Sequence, residues 1–355
     1  MNRPRAVRAW AVAWLVVLSA CRSSPTPDAP EPWFEETARR DGLDFVHQSG
    51  HGGELLFPEI MGGGVALFDM DGDGDLDAYL VQSGRLLESP ADEAGNRLFE
   101  NVGAGRFVDV SAGSGAGDTG YGMGAAAGDY DGDGDTDLYV TNFGPNVLLR
   151  NEGGGRFRDT TGDAGVGDPS WSASAAFLDY DVDGDLDLFV ANYVNWTPSI
   201  EQRCYNAAGV RDYCLPTNYH APAMDRLYRN RGDGTFEDVS IDVGLQTAFG
   251  NGLGVVSSDF DGDMRPDIFV ANDMMMNQLW MNRGGRFVDE ALLRGNAVDE
   301  HGSPKAGMGV MAIDINDDGN EDLLVGNLQG QTDSFFINRG GTFSDATGSV
   351  GLGSA

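Results

Sequence analysis

The chain has 355 residues, 56 of them acidic and 23 basic, for a formal charge of −33 at pH 7. A surface this acidic repels polyanions, which excludes nucleic acid as a partner. Twenty-four of the 56 acidic side chains fall in five nonapeptides, so the charge is concentrated rather than spread.

The first twenty residues read as a secretion signal. Arg3, Arg5 and Arg8 form its charged region and Ala11 to Ser19 its apolar one, too short to span a bilayer. It ends in Leu18-Ser19-Ala20-Cys21, which resembles a bacterial lipoprotein signal in which Cys21 becomes the lipidated N-terminus; ordinary signal cleavage is the alternative. Residues 21–33 (CRSSPTPDAPEPW) form a Pro-rich tether of the kind that holds a domain off a membrane. Phe34 to Thr37 (FEET) then reads as an outermost strand.

From residue 69 onward one pattern recurs five times: DMDGDGDLD, DYDGDGDTD, DYDVDGDLD, DFDGDMRPD and DINDDGNED. Carboxylates packed this closely repel one another unless a hard cation sits among them. Side chains one, three, five and nine with the backbone carbonyl of seven make an oxygen cage for Ca²⁺, which tolerates such geometry better than Mg²⁺. The expected ligands are Asp69, Asp71, Asp73, Asp75 and Asp77 in the first loop, and Asp129, Asp131, Asp133, Asp135 and Asp137 in the second. They are Asp179, Asp181, Asp183, Asp185 and Asp187 in the third, Asp259, Asp261, Asp263, Arg265 and Asp267 in the fourth, and Asp314, Asn316, Asp318, Asn320 and Asp322 in the fifth. Position six needs a sharp turn, which glycine makes without strain; Met264 occupies it in the fourth loop, making that site the weakest. An EF-hand is excluded because its twelfth position is a bidentate Glu, and here that position is Leu80, Val140, Val190, Val270 and Val325.

Each loop sits in a larger unit: a small-residue and apolar strand leads in, a second apolar strand follows, then an N-x-L-x-x-N type strand and a G-x-F-x-D strand. Four strands per unit, with loop starts 60, 50, 80 and 55 residues apart, predict an all-β chain of five propeller blades. Six outermost strands against five acidic units imply either a five-bladed ring with a spare strand or a truncated larger ring, and truncation is the expectation. The third unit carries an insertion, residues 195–225, with Cys204 and Cys214. With Cys21 assigned to lipid, a disulfide between these two is the expectation; a zinc pair is the competing reading, although with His220 it would have three ligands at most.

These units resemble FG-GAP/VCBS repeats, the calcium-laced blades of the integrin α N-terminal propeller. The strings FPEIMGGGVALFDMDGDGDLD, GYGMGAAAGDYDGDGDTDLYVTNFGPN and GNGLGVVSSDFDGD are similar to the cartilage acidic protein and UnbV-like family. The resemblance runs from about Phe34 to Gly353 and implies calcium-binding propeller architecture over residues 34–355.

In such a propeller the acidic loops lie on one face, and the turns entering first strands and leaving second strands on the other. A protein or glycan partner is expected on that second face, at Tyr121, Phe143, Trp171, Trp196, Met274, Met275 and Met276. Plugging of the central channel is the competing role for Trp171, Met123 and Met308. Catalytic motifs are thin: the chain has no G-x-S-x-G, H-E-x-x-H or P-loop. His47 and His51 are close enough in sequence to meet Glu54 or Glu59, and read first as a structural pair. The alternative function is a calcium-dependent hydrolase or lyase acting on extracellular glycans or phosphoesters, with Asp/Glu pairs at the channel mouth and His47 in its site. A lipid-anchored, calcium-stabilised binding module of the bacterial cell envelope, periplasmic or surface-exposed, is the leading reading.

Overall fold

In the computed structural model, residues 34–86 and 95–353 are described; the expected signal, the expected tether and Cys21 lie outside the described residues. The chain divides into two compact units, Met1–Thr37 and Ala38–Ala355. In the first, Phe34 to Thr37 form no strand, contrary to expectation. A strand needs a neighbouring ladder to satisfy its backbone, and none is formed here.

The second unit is all-β. Its five four-stranded antiparallel sheets follow the sequence units one for one. The first blade holds β1 (Val65–Phe68), β2 (Asp77–Leu80), β3 (Arg97–Asn101) and β4 (Phe107–Asp109), and the second β5 (Tyr121–Gly128), β6 (Asp137–Phe143), β7 (Val147–Asn151) and β8 (Phe157–Asp159). The third is β9 (Ser172–Leu178) and β10 (Asp187–Asn192), then an inserted hairpin, β11 (Cys204–Tyr205) and β12 (Arg211–Asp212), then β13 (Arg226–Asn230) and β14 (Phe236–Asp238). The fourth comprises β15 (Gly252–Ser258), β16 (Asp267–Asn272), β17 (Gln278–Asn282) and β18 (Phe287–Asp289), and the fifth β19 (Gly307–Ile313), β20 (Asp322–Asn327), β21 (Ser334–Asn338) and β22 (Phe343–Asp345).

First strands of successive blades pack on one another, β1 on β5, β5 on β9, β9 on β15 and β15 on β19, the stacking of a β-propeller. Strand alternation gives each blade two apolar faces. In the first blade Ala66, Tyr79 and Leu98 share the leading face, because register pairs them across β1, β2 and β3. That face packs against Ala125, Ala127, Leu138 and Val140 on the trailing face of the second. The same arrangement puts Tyr139 and Leu148 against Ala175, Phe177 and Leu188, Leu178 and Phe189 against Val255 and Ile268, and Val256 and Phe269 against Val310, Ala312 and Leu323. These four interfaces hold most of the hydrophobic core, and a further buried cluster gathers around Phe57, Trp171 and Tyr193.

A polar link crosses each of them. The asparagine closing each third strand donates its Nδ2 to the carbonyl at position two of the preceding blade's acidic loop: Asn151 to Met70 at 2.8 Å, Asn230 to Tyr130 at 2.7 Å, Asn282 to Tyr180 at 2.7 Å and Asn338 to Phe260 at 2.9 Å. The G-x-F-x-D motif also has a local reason. Its Asp accepts the backbone N–H two residues on, as Asp109 does from Ser111 at 3.0 Å, and so nucleates the turn leaving the blade. The Ser111 hydroxyl then accepts the N–H of Leu98 at 2.9 Å. In the fourth blade Ala291 has no hydroxyl, and Asp289 accepts the Leu279 N–H directly at 3.1 Å.

Candidate functional site

Each acidic loop joins a first strand to a second, and its backbone folds around the position-one carboxylate. Asp69 accepts the N–H of Gly72 at 2.8 Å and of Gly74 at 3.0 Å; Asp129, Asp179, Asp259 and Asp314 likewise accept the position-six N–H at 3.0, 3.0, 2.7 and 2.8 Å. Position five accepts from position seven, as Asp75 N–H donates to Asp73 at 2.9 Å. Position nine is buried at the strand start, where Asp137 takes N–H bonds from Tyr130 at 3.0 Å and Asn151 at 2.8 Å. Asp77, Asp187, Asp267 and Asp322 repeat this double acceptance.

Three carboxylates therefore converge. Oxygens of Asp69, Asp71 and Asp77 lie within 4.8 Å of one another, as do those of Asp129, Asp131 and Asp137 and of Asp179, Asp181 and Asp187. In the fourth loop the group is Asp259, Asp261 and Asp263, without Asp267. The fifth has Asn316 at position three, and among the described residues it forms no three-acid group. Positions five and seven of the first three loops stand outside these groups.

The donor set fits a hard cation. Oδ1 of Asp131 and Oδ1 of Asp261 are buried with no hydrogen-bond partner, an arrangement that costs free energy unless something cationic meets them. Burial, opposed by backbone hydrogen bonds and aided by Asp131 and Asp133, pushes the Asp137 carboxyl up to about 7. Asp187 and Asp267 are likewise pushed up to about 7, burial being the largest cause, and Asp77 upward. A divalent cation held among these oxygens would supply the countercharge that lets these groups ionise.

The fourth loop differs as its sequence foretells. Met264 sits at φ 67°, the left-handed conformation that Gly74, Gly134, Gly184 and Gly319 adopt in the other loops. Arg265 pairs with Asp263, while Arg283 lies 3.0 Å and Arg294 3.4 Å from Asp261. Guanidinium groups there already neutralise part of the acid. Position four is also left-handed, at Gly72, Gly132, Val182, Gly262 and Asp317, a requirement the sequence reading missed; β-branched Val182 at φ 60° is strained.

At the opposite end of the strands, where β1 begins and β2 finishes, lies a cleft of about 820 Å³ lined by residues including His47, His51, Glu54, Glu59, Gly84 and Leu86. Glu59, its side chain only 3% exposed, meets His51 Nδ1 at 2.9 Å. Tyr213, from the insertion, brings its hydroxyl within 3.0 Å of the same Nδ1 and 3.4 Å of Glu59. Burial and the Glu59 carboxylate raise the Tyr213 phenol. His47 Nε2 lies 2.9 Å from the Ser83 hydroxyl, and burial lowers its pKa. The sequence brought His51 near Glu59 but gave no sign of Tyr213, which arrives from more than 150 residues away.

The aromatics expected on this face are not free in solvent. Tyr121, Trp171 and Trp196 are buried and Phe143 half-buried, in a cluster with Phe57, Tyr193 and Tyr219. Phe57 lies 5.4 Å from Trp171 and 4.8 Å from Tyr219, so the segment before β1 and the insertion together roof the rings. Met274 and Met275 are partly buried, Met275 beside Pro216 and His220 in a cavity of about 510 Å³, and Met276 is 51% exposed. Met123 and Met308 line a cavity of about 250 Å³ with Met61 and Leu253. Cys204 and Cys214 form the expected disulfide, closing the hairpin that carries Tyr213. Among the described residues no helix is long and apolar enough to cross a membrane.

The family model for the FG-GAP-like repeat matches residues 69–140, 129–190, 205–270 and 259–325. Cartilage acidic protein 1 of Xenopus tropicalis is 28% identical over 125 residues, 35% of this chain and 18% of that protein, so the match spans under a fifth of the curated relative's length. Among solved structures, an Agrocybe aegerita lectin specific for non-reducing terminal N-acetylglucosamine is 17% identical with TM-score 0.35 over 79% of each chain. The V. cholerae biofilm matrix protein Bap1 is 14% identical, TM-score 0.38, over 79% of this chain and 38% of that one. The exotype rhamnogalacturonan lyase YesX is 14% identical, TM-score 0.37, over 80% and 46%.

Proposed function

Because the chain belongs to the FG-GAP-like repeat family, we propose that it is an extracytoplasmic binding module: a propeller stabilised by calcium in its acidic loops, tethered through lipid on Cys21, that takes a protein or glycan ligand at the opposite end of its blades. The observation that carries this reading is the polar cleft of about 820 Å³ at the end of the strands remote from the loops. A wall of imidazole and carboxylate, with the Tyr213 hydroxyl bonded to His51 and Glu59, suits hydroxyl-rich ligands, and the remote loops leave it free of the structural metal. The disulfide fits an oxidising compartment.

The test uses the full chain with Cys21→Ser, calcium-loaded and offered to an array of oligosaccharides. Binding that Glu59→Gln and Tyr213→Phe abolish, with melting temperature kept, supports the cleft as the ligand site; binding indifferent to both variants refutes that assignment. Metal counting by mass spectrometry tests calcium, and lipid mass on the N-terminal peptide tests the tether.

The cluster of His51, Glu59 and Tyr213 favours a second reading, a hydrolase or lyase. Glu59 holds the imidazole through Nδ1, leaving Nε2 for proton transfer in the cleft. Incubated oligosaccharides whose fragments gain water would mark hydrolysis, and fragments formed without water would mark elimination. Unchanged oligosaccharides leave the binding reading in place.

A further inference from the structure

The cleft remote from the acidic loops gathers three side chains whose polar atoms form one small triangle. His51 Nδ1 lies 2.9 Å from Glu59 Oε2, the Tyr213 hydroxyl lies 3.0 Å from the same Nδ1, and that hydroxyl lies 3.4 Å from the same Oε2. An imidazole Nδ1 carries at most one proton, a phenol one and an ionised carboxylate none, so two protons at most serve three edges. When Nδ1 is bare, its lone pair faces a carboxylate oxygen at 2.9 Å. When it is protonated, one edge still lacks a proton, and Oε2 already accepts the Leu56 N–H at 3.1 Å. A cation within reach of all three atoms meets every lone pair at once.

Size agrees with charge. Bonds from a zinc-class ion to nitrogen and oxygen are about 2.0–2.1 Å, which sets ligand atoms about 3.0 Å apart at right angles and about 3.4 Å apart at the tetrahedral angle. The three edges, 2.9, 3.0 and 3.4 Å, cover that interval. The imidazole nitrogen separates this group from the acidic loops, since calcium takes oxygen ligands and imidazole suits zinc and its transition-metal neighbours.

The frame around the triangle is pinned by bonds that spare its three atoms. The Phe57 N–H donates to Glu201 at 3.0 Å, the Tyr121 hydroxyl to the Ser49 carbonyl at 2.8 Å, and the Arg211 guanidinium to the Glu54 carbonyl. Cys214, next to Tyr213, is held by its disulfide to Cys204. The Leu56 N–H orients the Glu59 carboxylate, as outer partners do for metal ligands. The Glu59 side chain is 3% exposed and that of His51 44%, so the triangle is rooted in protein on one side and opens to the cleft on the other.

We propose that His51, Glu59 and Tyr213 form a binding site for a divalent transition ion of the zinc class, apart from the acidic loops, with its remaining coordination positions open to the cleft. Three protein ligands with open positions are the arrangement of zinc ions that engage a substrate or water, whereas fold-holding zinc is closed by four. The open positions would take oxygens of a hydroxyl- or carboxylate-bearing ligand, a role that rests on the reading of the cleft as the ligand site.

The experiment dialyses the full chain with Cys21→Ser against zinc, in excess calcium to fill the acidic loops, and counts bound zinc by mass spectrometry. One zinc per chain is expected. His51→Gln and Tyr213→Phe should each weaken its binding about tenfold or more, whereas His301→Ala, at an imidazole 78% exposed elsewhere on the surface, should leave it unchanged. Both cleft variants change atoms on the open side of the triangle, and their melting temperatures without zinc are measured alongside. Cobalt in place of zinc gives a second readout, a visible absorption that should differ between the parent and His51→Gln because a nitrogen ligand is lost. No zinc taken up, equal affinity in either cleft variant, or a cobalt spectrum that His51→Gln leaves unaltered would overturn the proposal. Because zinc uptake is measured without oligosaccharide, its failure leaves the ligand reading of the cleft standing, and failure of that reading leaves the uptake unaltered.

Discussion

The asparagine links between blades make a sharp quantitative contrast, because one of the five asparagines lacks its cross-blade acceptor. Asn230 donates from Nδ2 to the Tyr130 carbonyl at 2.7 Å and to the Leu186 carbonyl at 3.0 Å, and accepts the Gly232 N–H at 3.0 Å. Asn230→Ala leaves the Tyr130 carbonyl buried and unsatisfied and strips a partly buried one as well, at roughly 1–3 kcal/mol for each such group, so the expected loss is about 3 kcal/mol. Asn101 makes the bond to Leu76 at 3.2 Å and accepts from Gly103 at 3.1 Å, with no bond to another blade. Asn101→Ala should therefore cost about 1 kcal/mol. Urea unfolding of both variants in saturating calcium, read as a shift in midpoint at constant slope, measures the difference. Equal losses would refute the claim that the cross-blade bond, and not the local one, carries the energy.

Three further expectations follow from the loops and the aromatic cluster. The folded carboxyls of Asp137, Asp187 and Asp267 are pushed up to about 7, against about 3.9 in an unfolded chain. The metal-free fold then binds more protons than the unfolded chain between those values, so its stability is greatest at the acid end and is lost as pH rises through about 7. Thermal melts of demetallated protein should show this, a lower melting temperature at pH 5.5 than at pH 8 would contradict it, and calcium added near neutral pH should release protons. Met264→Gly relieves a left-handed backbone at φ 67° and should stabilise by about 1 kcal/mol, with a destabilised variant in denaturant titration speaking against strain at that turn. Trp171→Ala should cost about 4 kcal/mol, because the ring is buried among Phe57, Tyr193 and Trp196; unchanged stability would return Trp171 to the surface role that its sequence context indicates.

The periodic parts of this protein were legible before any coordinates. Loop spacing, strand order and the disulfide partners Cys204 and Cys214 follow from repetition and counting, since each depends on residues close in sequence or on a pattern seen five times. The left-handed turn forced on a non-glycine residue in the fourth loop was visible in Met264 alone. What stayed hidden depends on segments that meet only in the folded chain. Tyr121, Trp171 and Trp196 stand in or beside turns, which argues for exposure, yet Phe57 and Tyr219 arrive from distant segments to cover them. Tyr213 reaches His51 for the same reason. The left-handed fourth loop position escaped notice because Val182 and Asp317 occupy it where glycine stands in the other loops. Phe34 to Thr37 have the composition of an outer strand but form none, since strand formation depends on a neighbour as well as on sequence.

The cross-blade links also have a direction. In every pair the carbonyl acceptor belongs to the earlier unit and the asparagine donor to the later one. Because a ribosome releases the chain from its N-terminal end, each donor emerges after its acceptor has already left the exit tunnel. A nascent blade thus finds a finished edge to close upon and need not wait for sequence still to be translated. Assembly can keep step with elongation, and a pause within one unit would leave the units before it already linked.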